Sequence, residues 1–123
     1  MHWRKQRGHR AEQWALRWLR GQGLTPVAAN YQCRLGEVDL IMEHGETLVF
    51  VEVRWRAGGS HGGALASVDS RKQRRLILAA RHYLGHHPHQ ARRPCRFDVL
   101  GLEPDDGGMV RYHWVQNAFY GDR

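Results

Sequence analysis

Long apolar stretches are missing from this sequence. The longest, Leu48 to Val53, has only the length of a strand. A helix that crosses a bilayer needs ~18 apolar residues, so a membrane partner is not expected. The basic opening MHWRKQRGHR runs into no apolar h-region. No signal peptide is therefore expected, and the cytoplasm is the expected compartment. Cysteine is scarce too: Cys33 and Cys95 stand far apart, and neither has a CxxC partner. That pattern favours a reduced chain. Internal repeats and linker-like segments are absent, and 123 residues suit one domain spanning 1–123.

Acidic residues are the minority. Twelve Asp plus Glu face 19 Lys plus Arg, for a formal net charge of +7. Most of the basic residues are arginine, whose rigid fork of donors matches phosphate oxygens. The balance points to a polyanionic partner, nucleic acid above all, although a basic surface can also serve solubility alone. Histidine is plentiful, with nine residues. His82, His86, His87 and His89 cluster near a helix end, and His86-His87-Pro88-His89 reads as an exposed loop rather than as a fixed tetrahedral zinc site.

Hydrophobic spacing gives the elements. Ala11, Trp14, Ala15, Trp18 and Leu19 follow the i, i+3, i+4, i+7, i+8 pattern of one helical face, and Gly21 and Gly23 stop that helix. Leu24 to Tyr31 contains Pro26, which suits an edge strand. The run from Gly36 to Met42 and the β-branched, aromatic run Thr47 to Trp55 flank the turn Glu43–Glu46, as in a hairpin. Residues 57–63 form a glycine-rich loop. Asp69 or Ser70 can cap a basic helix that reaches about Leu84. Cys95–Leu102 and Met109–Val115 complete the strands. A meander, a crossover helix and a further strand predict an α/β fold with helices packed on the sheet.

The chemistry lies in the acids of two strands. Positions i and i+2 share a strand face, so Glu37 and Asp39 are expected to point one way, and Glu52 and Arg54 another. Leu48 and Phe50 continue the face of Glu52, while Val49, Val51 and Val53 make the other face apolar. An interior strand is implied, and an unpaired carboxylate there is costly. Two compensators are open. Arg54 could hold Glu52 in a salt bridge, or Glu52 and Asp39 could share a hard divalent cation such as Mg²⁺.

Gly36-Glu37-Val38-Asp39-Leu40-Ile41 and Leu48-Val49-Phe50-Val51-Glu52-Val53-Arg54 resemble the core of the YraN-like uncharacterised bacterial proteins. Those in turn resemble the restriction-endonuclease-like nucleases with the PD-(D/E)xK signature, including archaeal Holliday junction resolvases. The likeness continues through Gly62-Gly63-Ala64, Val68, Lys72, Arg96-Phe97-Asp98-Val99 and Asn117-Ala118-Phe119, nearly the whole chain. It implies a restriction-endonuclease-like core, a mixed β-sheet flanked by helices in the order αβββαβ. It also implies a metal-dependent endonuclease that hydrolyses DNA phosphodiester bonds, branched structures included, with DNA favoured over RNA. The alternative is an inactive nucleic-acid-binding protein that keeps the nuclease fold.

Carried over by position, Asp39 and Glu52 are the implied ligands of Mg²⁺ or Mn²⁺. Glu37 assists from the same strand, and Glu12 on the first helix has two placements open, at the metal or at the surface. The departure is Arg54, where the nuclease pattern has lysine. Arginine stays protonated, so it can stabilise charge but not act as a base. Lys72 could supply an ammonium from another element, or could simply contact phosphates or solvent. Arg71, Arg75 and Arg56 join Lys72 as expected nucleic-acid contacts. Related resolvases act as dimers, so a homodimer is implied as well. Trp3, Trp14, Trp18, Trp55 and Trp114 could all stack bases, but Trp14 and Trp18 suit the core, and Trp55, the better candidate for a substrate contact, is also expected in the core first.

Overall fold

A computed structural model describes residues 2–56 and 63–121, with side chains from residue 10 onward. The side chain of Trp3 and most of the glycine-rich loop lie outside the described residues. The elements run α1 (His2–Gly21), β1 (Thr25–Cys33), β2 (Gly36–His44), β3 (Thr47–Trp55), a single turn α2 (Gly63–Ala66), α3 (Ser70–His86), a 3₁₀ turn (Gln90–Arg92), β4 (Cys95–Pro104) and β5 (Val110–Phe119).

The five strands form one sheet in the order β1-β2-β3-β4-β5. Only β3 and β4 are parallel; the other neighbours pair antiparallel. A parallel pair needs a crossover, and α3 supplies it. Pro26 sits on the edge strand β1, where its missing N–H interrupts no central ladder. Asp69 caps α3, its side chain accepting from the Lys72 N–H at 2.9 Å. The result is the expected α/β core, a mixed sheet flanked by helices, with β5 added at the far edge. It is consistent with a restriction-endonuclease-like core.

The sheet carries a core on each face. On one, Leu76, Ile77, Ala80 and Tyr83 of α3 pack with Val38, Ile41, Leu48, Phe50, Phe97 and Val99. On the other, Ala11, Ala15 and Leu19 of α1 pack with Leu40, Met42, Val49, Val51, Leu100 and Leu102. Strand β3 therefore alternates as expected, one set of side chains to each helix. The aromatics close the α1 side: Trp14 lies 5.9 Å from Trp55, and Trp18 stacks on Tyr112 at 4.9 Å. Among the described residues no helix is long and apolar enough to cross a membrane.

Candidate functional site

The site begins as a defect in the sheet. Along β2, Val38 belongs to the α3-side core while Leu40, two residues on, belongs to the α1-side core. Strict alternation, which would put both on one face, therefore breaks at Asp39. The β2–β3 ladder ends at the same place, its last pair being Leu40 with Val51. Beyond it, the Val53 N–H donates to Asp39 Oδ2 at 2.8 Å. The Asp39 carboxylate thus stands where a partner-strand carbonyl would stand. Asn30, across from it on β1, adopts a left-handed φ of 55°, a conformation that asparagine tolerates better than most residues.

Splitting the two strands brings two acids together. Glu52 is 3% exposed and hydrogen-bonds Asp39 side chain to side chain. Two carboxyl groups can do this only if one keeps its proton. Burial, then the charge of Asp39, pushes Glu52 up to about 8. Asp39 is also raised, by burial first, against the opposing bond from Val53. Low dielectric and a like charge both disfavour ionisation.

Two cations reach the same Glu52 oxygen. Arg54 NH1 lies 3.1 Å from Oε2, and Lys72 Nζ lies 3.9 Å from it. The Arg54 guanidinium is otherwise engaged: Nε donates to Ser67 Oγ at 2.9 Å and NH2 to the Ser67 carbonyl at 3.2 Å. Ser67 Oγ donates in turn to the Ala64 carbonyl at 2.6 Å. Arg54 therefore ties β3 to the segment that leads into α3. Lys72 arrives from the first turn of α3 with its side chain more than a third exposed.

Glu12 and Glu37 flank the pair without joining it. Glu12, half-buried on α1, is pushed up to about 7 by burial, with the Asp39 and Glu37 charges adding and a hydrogen bond from Asn30 opposing. Glu37 is exposed and accepts from Gln32 Nε2 at 3.4 Å. Among the described residues no three His, Cys, Asp or Glu side chains are grouped closely enough to enclose an ion by themselves. That includes the histidines of α3. There His82 stacks on His86 at 4.4 Å and hydrogen-bonds Tyr31, and His87 stacks on Tyr83 at 4.0 Å.

The basic residues divide in the same way. Arg71 and Arg75 are exposed on α3 and line, with Ser70 and Arg74, a groove of about 400 Å³. Arg56 lies just past β3; its main-chain N–H donates to Leu102, and its Nε is buried with no partner among the described residues.

Asp98 provides the contrast. It is fully buried, yet it accepts from Arg96 Nε at 3.0 Å, Trp114 Nε1 at 2.9 Å and the Asn117 N–H at 2.9 Å. Its oxygens are thereby paired with donors from β4 and β5. Asp39 and Glu52 have fewer donors, and burial pushes both of them up. Sequence reasoning did not find Ser67, Asn30 or the Val53 N–H as partners of the site, since each acts through local backbone geometry that no spacing rule encodes.

Comparison with known proteins agrees on one group. A UPF0102 protein of Alcanivorax borkumensis is 60% identical over 119 residues, covering 97% of this chain and 95% of the relative. A UPF0102 protein of Aeromonas hydrophila is 54% identical over 114 residues, covering 92% and 84%. One from Pseudomonas aeruginosa is 48% identical over 116 residues, covering 94% and 93%. The model of the uncharacterised protein family UPF0102 matches residues 11–102, from α1 to the end of the β4 core and so across every acid of the site. The chain belongs to the uncharacterised protein family UPF0102.

Proposed function

We propose that this chain is a metal-dependent endonuclease that hydrolyses phosphodiester bonds in DNA, with Asp39 and Glu52 as the residues that hold Mg²⁺ or Mn²⁺. The observation that carries the reading is the meeting of two acids, Asp39 and the buried Glu52, at a break in the sheet where the β2–β3 ladder ends. Burial and the charge of Asp39 both push Glu52 up, and a divalent cation would offset both. The donor set fits. Two carboxylates do not make a closed cage, but Mg²⁺ is commonly bound by one or two carboxylates, with waters and substrate phosphates completing the octahedron. When bound there, the ion supplies Lewis acidity and a lowered pKa for a water.

The protein's own residues divide the remaining work. Lys72 brings an ammonium beside Glu52 from α3, the charge that the nuclease pattern takes from the second residue after the glutamate. There it can orient the attacking water and offset charge that develops on the phosphoryl oxygens. Arg54 acts as a positioning residue, fixing the Glu52 carboxylate while anchored on Ser67. Glu12, with its raised pKa, stands beside Asp39 as a further acid able to hold a proton or a water. Glu37 adds negative charge at the rim. Arg71 and Arg75 extend a positive track along α3 for the phosphate backbone.

A second reading rests on Arg54: a protein that binds nucleic acid and keeps the fold without turnover, with the Arg54–Glu52 ion pair in place of the metal. One experiment separates the two. Purified protein is incubated with duplex, flap, four-way-junction and single-stranded DNA, with Mg²⁺, Mn²⁺ or chelator. Cleavage that needs the metal and is abolished by Asp39→Asn supports the nuclease. Salt-sensitive binding that survives Asp39→Asn, with no cleavage of any substrate, supports the binding protein.

A further inference from the structure

Four large apolar side chains stand exposed among the described residues: Leu35, Leu65, Met109 and Tyr120. A single exposed leucine means little in itself. Leu35, 49% exposed, is distinguished by how it is mounted. With Arg34 it forms the two-residue turn between Cys33 and Gly36, which pair directly across the β1–β2 hairpin. The turn is braced from behind. A Cβ added at Gly36 would fall 2.3 Å from the Arg75 carbonyl oxygen, so the hairpin backbone lies directly on the backbone of α3. Only glycine permits that approach.

The brace sits beside the groove and the acids. Arg75 lines the groove formed with Ser70, Arg71 and Arg74. One helical turn earlier, Lys72 approaches Glu52 at 3.9 Å. Contacts therefore lead from Glu52 through Lys72 and Arg75 to the hairpin tip. Along β2, Leu35 precedes Asp39 by four residues, about 13 Å of strand. That is roughly four base steps of duplex at 3.4 Å each.

We infer that Leu35 is a wedge that enters a weakened base stack in duplex DNA while Arg71 and Arg75 hold the flanking phosphates, so that the site selects duplex with an open or mismatched step. The inference rests on the nuclease reading above and adds its substrate preference. Apolar side chains inserted between base steps are a known way to kink DNA, and the opening is easiest where pairing is already imperfect. A tip held on a helix backbone has little conformational freedom to lose on entry. Arg34 in the turn and Arg71 and Arg75 on α3 supply the anionic partner's counter-charge, and an aliphatic tip without a hydrogen-bonding group suits the faces of bases rather than their edges.

The test uses the full chain and a duplex with 2-aminopurine next to a central mismatch, in Ca²⁺ to hold off cleavage. The wild-type protein raises the 2-aminopurine fluorescence several-fold. Leu35→Ala removes that rise and lowers the preference for mismatched over perfect duplex about tenfold, as expected for losing one well-buried apolar contact. Leu35→Met, apolar and of similar volume, keeps both. Affinity of Leu35→Ala for perfect duplex is unchanged, which shows that the fold and the groove are intact. A wild-type complex that binds but leaves the fluorescence flat overturns the wedge, and so does a rise that survives Leu35→Ala. A wild-type protein with no DNA affinity at low salt overturns the nuclease reading itself, and the wedge with it.

Discussion

The Lys72 ammonium and the Glu52 carboxylate meet at 3.9 Å across the junction of α3 and β3. They come from different elements, and the strand position where a lysine was expected holds Arg54, which takes the same Glu52 oxygen at 3.1 Å. The two cations are not equivalent. Arg54 has three hydrogen bonds that fix its fork, whereas Lys72 has an exposed ammonium on a flexible stem. On the proposed reading, the fixed arginine and the lysine divide what one residue does in the simpler pattern.

Lys72→Ala is expected to lower metal-dependent cleavage by about 10²–10⁴, the range for removing a group that assists proton transfer. Its effect on stability is within about 0.5 kcal/mol, as for an exposed position. Steady-state cleavage rates and a urea melt check the two numbers. Arg54→Lys gives no gain in rate, because the Ser67 anchor is lost. It destabilises by about 2 kcal/mol through the charged hydrogen bonds removed.

Asp39→Asn is expected to abolish cleavage and also to raise the stability of the metal-free protein by roughly 1–2 kcal/mol. The amide oxygen can still accept from the Val53 N–H, and the amide NH₂ can donate to Glu52, so the bonds survive while the buried charge goes. Thermal unfolding with chelator reads this directly; a variant less stable than the parent at pH 8 refutes it.

The metal-free protein should lose stability as pH rises. Glu52 stands near 8 and Glu12 near 7 in the folded chain, both against an ordinary 4.5. Between 4.5 and these values the folded state holds protons that the unfolded state has released, so the slope of unfolding free energy with pH is negative. The loss begins above pH 4.5, continues to about 7 for Glu12 and about 8 for Glu52, and is then complete. Mg²⁺ should flatten the curve, because its binding replaces those protons. Melts from pH 5 to pH 9, with chelator and with Mg²⁺, give the two profiles.

Gly36→Ala should cost about 1–3 kcal/mol, the usual penalty of overpacking. The added Cβ meets main-chain atoms of Arg75, which cannot rotate away. Because Arg75 lies one turn from Lys72, the shift also moves the ammonium, and cleavage falls together with stability. Paired urea melts and rate measurements test the coupling.

Much of this fold was legible in the sequence. The apolar stripe of α1, the β-branched run of β3 and the Asp69 cap of α3 each announce themselves through local spacing, and strand alternation correctly sends Phe50 and Val51 to opposite cores. The same rule fails at Asp39. Alternation assumes an unbroken ladder, and the ladder ends at Leu40, so Val38 and Leu40 go to opposite cores where the spacing predicts one face. The position of Lys72 was illegible for a different reason. Its approach to Glu52 depends on how α3 is docked, and no local pattern states where a helix will lie on a sheet. The family resemblance pointed to Asp39 and Glu52 together; the geometry adds the break in the sheet and the Val53 N–H that holds Asp39.

The aromatic closure of the α1 face makes the protein its own reporter. Trp14 and Trp18 ride on α1, while Trp55 and Trp114 lie on the sheet opposite them, with ring pairs at 5.9 and 5.7 Å. Because these ring pairs span α1 and the sheet, intrinsic emission is sensitive to the seating of that helix. Glu12 rides on that helix too. A change in emission when a cation or DNA is added would therefore signal, without any label, that the helical wall of the acidic site has moved.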